Sequence, residues 1–167
     1  MADQLRNALL EDQIIIGERN YEQALDMVIA RATRQLLIFD KDFSKGAYAG
    51  LQRDELIRDF LAKDRQNRLV IVLHDAEYCN VHCPRLRELL TTYSHAMTIY
   101  QTGEQARGAT DSFVIADQQH YVRRFHTDHA RFRFAFDDEE TAGMLNSRFN
   151  ELLETCSDSL TATRLGL

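Results

Sequence analysis

The chain has 167 residues, 44% hydrophobic and 28% charged, the make-up of a globular protein that can bury roughly 70% of its unfolded surface without a disulfide or a metal. Its 26 acids against 20 bases leave a net charge of −6, which argues against a general attraction to nucleic acid or anionic lipid and leaves room for local basic patches. The longest apolar runs are four or five residues, far short of a membrane span, so no membrane partner is expected.

Residues 1–12 show no basic stretch followed by an apolar run, so they read as a disordered start with no signal peptide, and the expected compartment is the cytoplasm. Ile14–Ile16, before Gly17, reads as a short edge strand. Tyr21, Ala24, Leu25, Val28, Ile29 and Ala32 recur at helical spacing and give a one-sided apolar stripe. Leu36–Phe39 is a buried strand, and Lys41–Gly50 a loop. Leu56, Ile57, Phe60 and Leu61 mark a second helix. Leu69–Leu73 is continuous and rich in β-branched residues, which places it centrally with both faces covered. Leu86, Leu89, Leu90 and Tyr93 mark a third helix, with Pro84 in its first turn. Met97–Tyr100 is another strand, and Thr102–Thr110, with Gly103 and Gly108, a mobile loop.

The pattern then changes. Phe113–Asp117, His120–Phe125 and Phe132–Phe136 are three strands with short connections, and Ala142, Leu145, Phe149, Leu152, Leu153 and Cys156 line one face of a closing helix. Helices between the early strands predict parallel crossovers, and the late strands predict antiparallel hairpins. The expected fold is a single α/β domain over residues 1–167, a mixed sheet with helices on both faces.

The stretch from Asp111 to Phe125, two strands around the polar turn Asp117-Gln118-Gln119, carries a resemblance. Members of the phospholipase D superfamily have His-x-Lys-x4-Asp on such a strand, then a turn, a second strand ending near Gly-Ser, and a third running into an acidic pair and a final helix. Phe113–Asp117, Tyr121-Val122, Phe132–Asp138 and the helix with Leu145, Phe149 and Leu152 fall in that order. The chain therefore resembles a phospholipase D-like domain of the kind small bacterial proteins carry, but with a degenerate motif. Counting back from Asp117, the family's histidine position is Thr110 and its lysine position Ser112; Arg123 and Arg124 stand at the Gly-Ser positions, and Arg131 near a later glutamate. The family's enzymes need one imidazole to attack phosphorus, another to protonate the leaving oxygen, and a lysine to steady the phosphoryl charge. They also use two motif copies, from repeats or from two subunits, so the resemblance implies a homodimer as one arrangement to test.

Three further constellations carry polar chemistry. His120–Phe136 holds Arg123, Arg124, Arg131 and Arg133 among aromatic residues, either an anion site or a solvated strand face with Arg131 and Arg133 outward and Phe132, Phe134 and Phe136 inward. Arg123 and Arg124 are adjacent and so face opposite sides of the sheet; a buried acid, Asp40, Asp75, Asp111 or Asp117, is expected to pair with one of them. His74-Asp75, followed by Glu77, Cys79, His82 and Cys83, lies after the strongest strand, where open α/β sheets bind ligands. Its Cys-x3-Cys lacks the second pair of a zinc framework, and the odd count of three cysteines suits a reducing compartment. Arg85, at the start of the third helix, is placed to reach the same cleft.

The function expected is a non-catalytic, regulatory module that binds a small anionic ligand or a protein partner. The ligand residues are Arg123, Arg124, Arg85, His74, Asp75, Asp117 and Asp40, with Asp117 also readable as an ordinary turn aspartate. No catalytic residue, metal or cofactor is expected, and nucleic acid is not favoured. The alternative is a weak phosphodiesterase or nuclease, or a different hydrolase using His74 and Asp75.

Overall fold

The apolar runs assemble into one eight-stranded mixed sheet in a computed structural model that describes residues 9–157 and 159–160. Strands β2 (Gln35–Asp40), β3 (Arg68–Leu73) and β4 (Met97–Gln101) are parallel, in register Leu36 to Leu69 to Met97. They are joined by α2 (Leu51–Lys63) and by the pair α3 (Glu77–His82) and α4 (Pro84–Thr92), as parallel neighbours, which need crossover connections, require. Pro84 sits in the first turn of α4, where its missing N–H costs nothing.

The late strands β5 (Ser112–Ala116), β6 (His120–His126) and β7 (His129–Ala135) form antiparallel hairpins, and β5 joins the parallel half by pairing antiparallel with β2. The β5–β6 turn puts Asp117 at φ 56 and Gln118 at φ 57, and Gln119 N–H closes it on the Ala116 carbonyl. Positive φ at both central residues matches the twist of a tight hairpin, and Asp tolerates it better than a branched residue. Two short strands close the edges: β1 (Ile15–Ile16) on β7, and β8 (Ser159–Leu160) on β4. Two residues carry no periodic signal, so β8 was not legible in the sequence.

Helix α1 (Glu18–Arg31), α2, α3 and α4 bury the larger core on one face, around Leu25, Ile38, Ile71 and Phe132. Helix α5 (Glu139–Glu154) covers part of the other face, packing Phe149 and Leu145 around Phe39, Phe113 and Ile115. Asp138 starts α5 by accepting the Thr141 N–H at 3.0 Å, with Glu139 and Glu140 in the first turn. Of the start expected to be disordered, residues 1–8 lie outside the described residues. Among residues 9–12, Asp12 N–H donates to the Phe134 carbonyl and Glu11 accepts from Phe136 N–H.

Candidate functional site

The C-terminal ends of β2, β3 and β4 meet the start of β5 and the β6–β7 turn around a cavity of about 510 Å³. Each wall follows from a strand end. Lys41 comes directly after β2, His74 and Asp75 after β3, and Gln101 ends β4. Arg107 and Thr110 come from the loop before β5, and His126, Thr127 and Asp128 from the β6–β7 turn. The volume falls within the range of small-molecule sites. No described Asp or Glu pairs with the side chain of Lys41 or Arg107.

His74 does not present a free nitrogen. Its Nε2 lies 2.7 Å from the Ala109 carbonyl, to which it donates, and its Nδ1 lies 2.7 Å from Thr102 Oγ1, from which it accepts in that tautomer. One imidazole thus ties the two ends of the Thr102–Thr110 loop, with Phe39 against its ring edge at 5.2 Å. Asp75, in the turn that leads into α3, accepts Glu77 N–H at 2.8 Å. His126 Nδ1 accepts Asp128 N–H at 3.1 Å, which in the neutral ring puts the proton on Nε2.

Beside this cavity lies a second of about 30 Å³, no larger than a water site, bordered by Asp40, Lys45 and Arg124. Asp40, 4% exposed, accepts Phe43 N–H at 2.7 Å and Asp42 N–H at 3.3 Å, holding Phe43 at φ 70. Burial, with the Asp42 carboxylate adding to it, outweighs these donors and pushes the Asp40 carboxyl up to about 6. Ser112 is buried against Tyr21, with the two hydroxyl oxygens 3.4 Å apart. Arg124, cross-strand from Ser112 and 1% exposed, forks onto both Glu18 oxygens at 2.7 and 2.8 Å and stacks over Tyr21. The Arg124 hydrogen bond holds the Glu18 carboxyl below the usual carboxylate range.

The remaining expected ligand residues lie elsewhere. Arg123 faces the α5 side, where it and Arg148 both bind Asp111; its Nε is 3.0 Å from Asp111 Oδ2. Of the acids the sequence offered to the arginine pair, Asp111 is the one used, and Arg124 takes Glu18 instead. Arg85 reaches the Ala49 carbonyl at 3.2 Å and does not border the cavity. Asp117 stands at the opposite end of the sheet, accepting N–H groups of Thr33, Arg34 and Gln35 and the Thr33 hydroxyl at 2.7–2.9 Å. Its burial raises the carboxyl, but those donors prevail and hold it below the usual range.

The structure therefore brings His74 and Asp75 together at the large cavity, with Asp40 and Arg124 next door, and separates Arg85, Arg123 and Asp117 from it. Sequence reasoning missed Lys41 and Arg107, whose signal was position: one follows a buried strand and the other sits in a glycine-bearing loop beside it. Cys79 and Cys83 are free thiols buried in the core, and among the described residues no three metal-ligating side chains gather. No helix among the described residues is long and apolar enough to cross a membrane.

The fold has relatives. Nuc from Salmonella typhimurium, a phospholipase D family member, superposes with a TM-score of 0.62 at 10% identity, covering 89% of this chain and 97% of Nuc. TrmBL2, an archaeal chromatin protein with a novel mode of DNA binding, superposes with a TM-score of 0.63 at 14% identity. That match covers 94% of this chain, which spans only 57% of TrmBL2. No curated protein matches the chain in sequence. A family model does match, from residue 18 to residue 165. The chain has the phospholipase D-like fold and belongs to the family described as a domain of unknown function (DUF7931).

Proposed function

We propose that the chain is a non-catalytic phospholipase D-like module that binds a small phosphate- or carboxylate-bearing ligand in the cavity at its strand ends, in a regulatory role. The observation that carries this reading is the pairing of a ligand-sized cavity with Lys41 and Arg107, two cations in its lining that form no ion pair with a described acid. An Arg fork and a Lys point charge suit an oxyanion, and His126 Nε2 adds a donor. Arg123 and Arg124 are left out of the ligand set, because their guanidinium groups are committed to Asp111 and Glu18.

Chemistry is disfavoured by the same geometry. Thr110 and Ser112 stand where the family motif has its histidine and lysine, and Ser112 is sealed against Tyr21. Hydrolysis at His74 would need a nitrogen lone pair that the Thr102 and Ala109 contacts do not leave. Nucleic acid is a weaker candidate despite the DNA-binding relative, since the net charge is −6 and the cavity also carries Asp75 and Asp128.

The test is a thermal-shift screen with phosphorylated and carboxylated metabolites and a short oligonucleotide. A small anion is expected to raise the unfolding midpoint of the wild type and to lose that effect in Lys41→Ala/Arg107→Ala. A wild type that no small anion shifts, or that only the oligonucleotide shifts, contradicts the reading.

A further inference from the structure

Independently of the cavity, the sheet face beside α5 is left partly uncovered. Cross-strand pairs fix which residues share it. Phe113, in the core under α5, pairs with Arg123, and Arg123 pairs with Arg133. Arg131, two residues from Arg133, points the same way and pairs with Ile16 of β1. Helix α5 leans on β5 and β6, and Arg131 and Arg133 on β7 remain exposed. Arg148 of α5 shares Asp111 with Arg123, so Met144, four residues before Arg148, lies on the flank of α5 toward this face. Met144 is 69% and Ile16 73% exposed.

The result is a shallow groove, its floor made by β6 and β7, its margins by Met144 on one side and Ile16 on the other. Two strand spacings make it roughly 10 Å wide, about the diameter of an α-helix. Arg123, Arg131, Arg133 and Arg148 crowd it, and Asp111 is the acid between two of them. Arg131 and Arg133 on β7 are exposed and form no ion pair with a described acid, so the positive charge open to a partner sits on that strand. Like charges directly opposite on a sheet, as Arg123 and Arg133 are, repel. Aliphatic margins around an arginine floor suit carboxylates and apolar side chains on one segment, whereas the half-buried Phe125 ring on that floor is already covered by the Arg123 guanidinium, 5.3 Å from its centroid, which leaves it a poor platform for stacked bases.

We infer that this groove binds an acidic amphipathic segment of a partner protein, its carboxylates on Arg131 and Arg133 and its aliphatic side chains on Ile16 and Met144. The test is fluorescence anisotropy with a labelled amphipathic helix of Glu, Leu and Ala, its lysine counterpart, and a labelled oligonucleotide of equal charge. The Glu peptide is expected to bind the wild type, to bind more weakly as salt rises, and to lose about tenfold or more in affinity on Arg131→Glu/Arg133→Glu. Arg131→Ala/Arg133→Ala is expected to lose less, and Arg65→Glu, exposed elsewhere, to lose nothing. Cavity ligands are expected to bind all three variants normally, which separates failure here from failure of the cavity reading. The inference is overturned if the wild type ignores the Glu peptide, if reversal leaves its affinity unchanged, or if the oligonucleotide binds more tightly. It is also overturned if light scattering shows a dimer that Arg131→Glu/Arg133→Glu dissolves, because the groove would then be an interface between copies.

Discussion

Asp117 and Asp40, at opposite ends of the β2–β5 strand pair, have opposite characters. At the lower end Asp117 accepts four donors from Thr33, Arg34 and Gln35, and its carboxyl is held below the usual range. At the upper end Asp40 accepts two N–H groups, is almost fully buried beside Asp42, and its carboxyl is pushed up to about 6. Donor count wins at one end and desolvation at the other. The lower end clamps the fold, by fixing how the chain enters β2. The upper end is where the cavity lies, and there a buried carboxyl stands without enough donors to offset its burial.

The largest expected effect breaks the lower end. Asp117→Ala leaves three backbone N–H groups without their acceptor and puts alanine at φ 56, so it should cost about 3 kcal/mol in denaturant unfolding. Asp117→Asn, which tolerates that φ and keeps an acceptor oxygen, should cost clearly less; an equal loss would show that charge rather than geometry is what the clamp needs. Next comes Arg124→Ala at the upper end. It removes a guanidinium that is 1% exposed, but its partner Glu18 is 45% exposed and can be rehydrated, so the loss should be about 2 kcal/mol rather than the full cost of a broken buried pair.

A smaller effect concerns pH and carries the opposite sign at the two ends. Asp117 has a folded value below its unfolded one, so its stabilisation is present above about pH 4 and is lost as pH falls through the folded value. Asp40 has a folded value of about 6, above its unfolded one; its contribution is full below about pH 4 and declines as pH rises through about 6. Unfolding measured across pH 3 to 8 should therefore show Asp40→Asn flattening the fall between about pH 4 and 6, and Asp117→Asn flattening the acid limb. If Asp40→Asn leaves the profile unchanged, the carboxyl is not carrying its charge in a buried setting. The smallest effect on stability, within about 0.5 kcal/mol, is expected for Lys41→Ala and Arg107→Ala, since both side chains are exposed and without ion pairs among the described residues.

Much of the frame was legible because it rests on period and order. The run Leu69–Leu73, the alternation of Arg131, Phe132, Arg133 and Phe134, and the Asp-Asp pair ahead of α5 each have one sensible structural outcome. The candidate site was harder. Adjacent residues in a strand diverge, so Arg123 and Arg124 could not share a cleft, yet which acid each would meet depended on partners 12 and 106 residues away. Asp117 lies in the motif by sequence but at the far end of the strand in space, because five strand residues separate it from Asp111. Lys41 and Arg107 belong to no motif, and only the convergence of strand ends brings them together.

The claim that this fold end binds an oxyanion without turning it over is tested most directly by phosphorus NMR. Bis-p-nitrophenyl phosphate would be followed with the wild type and with Lys41→Ala/Arg107→Ala, with and without zinc or magnesium. The expected result is a shifted or broadened diester resonance with the wild type, an unperturbed one with the double variant, and no monoester signal in either. A growing monoester signal from the wild type, or a diester resonance that neither protein perturbs, would contradict it.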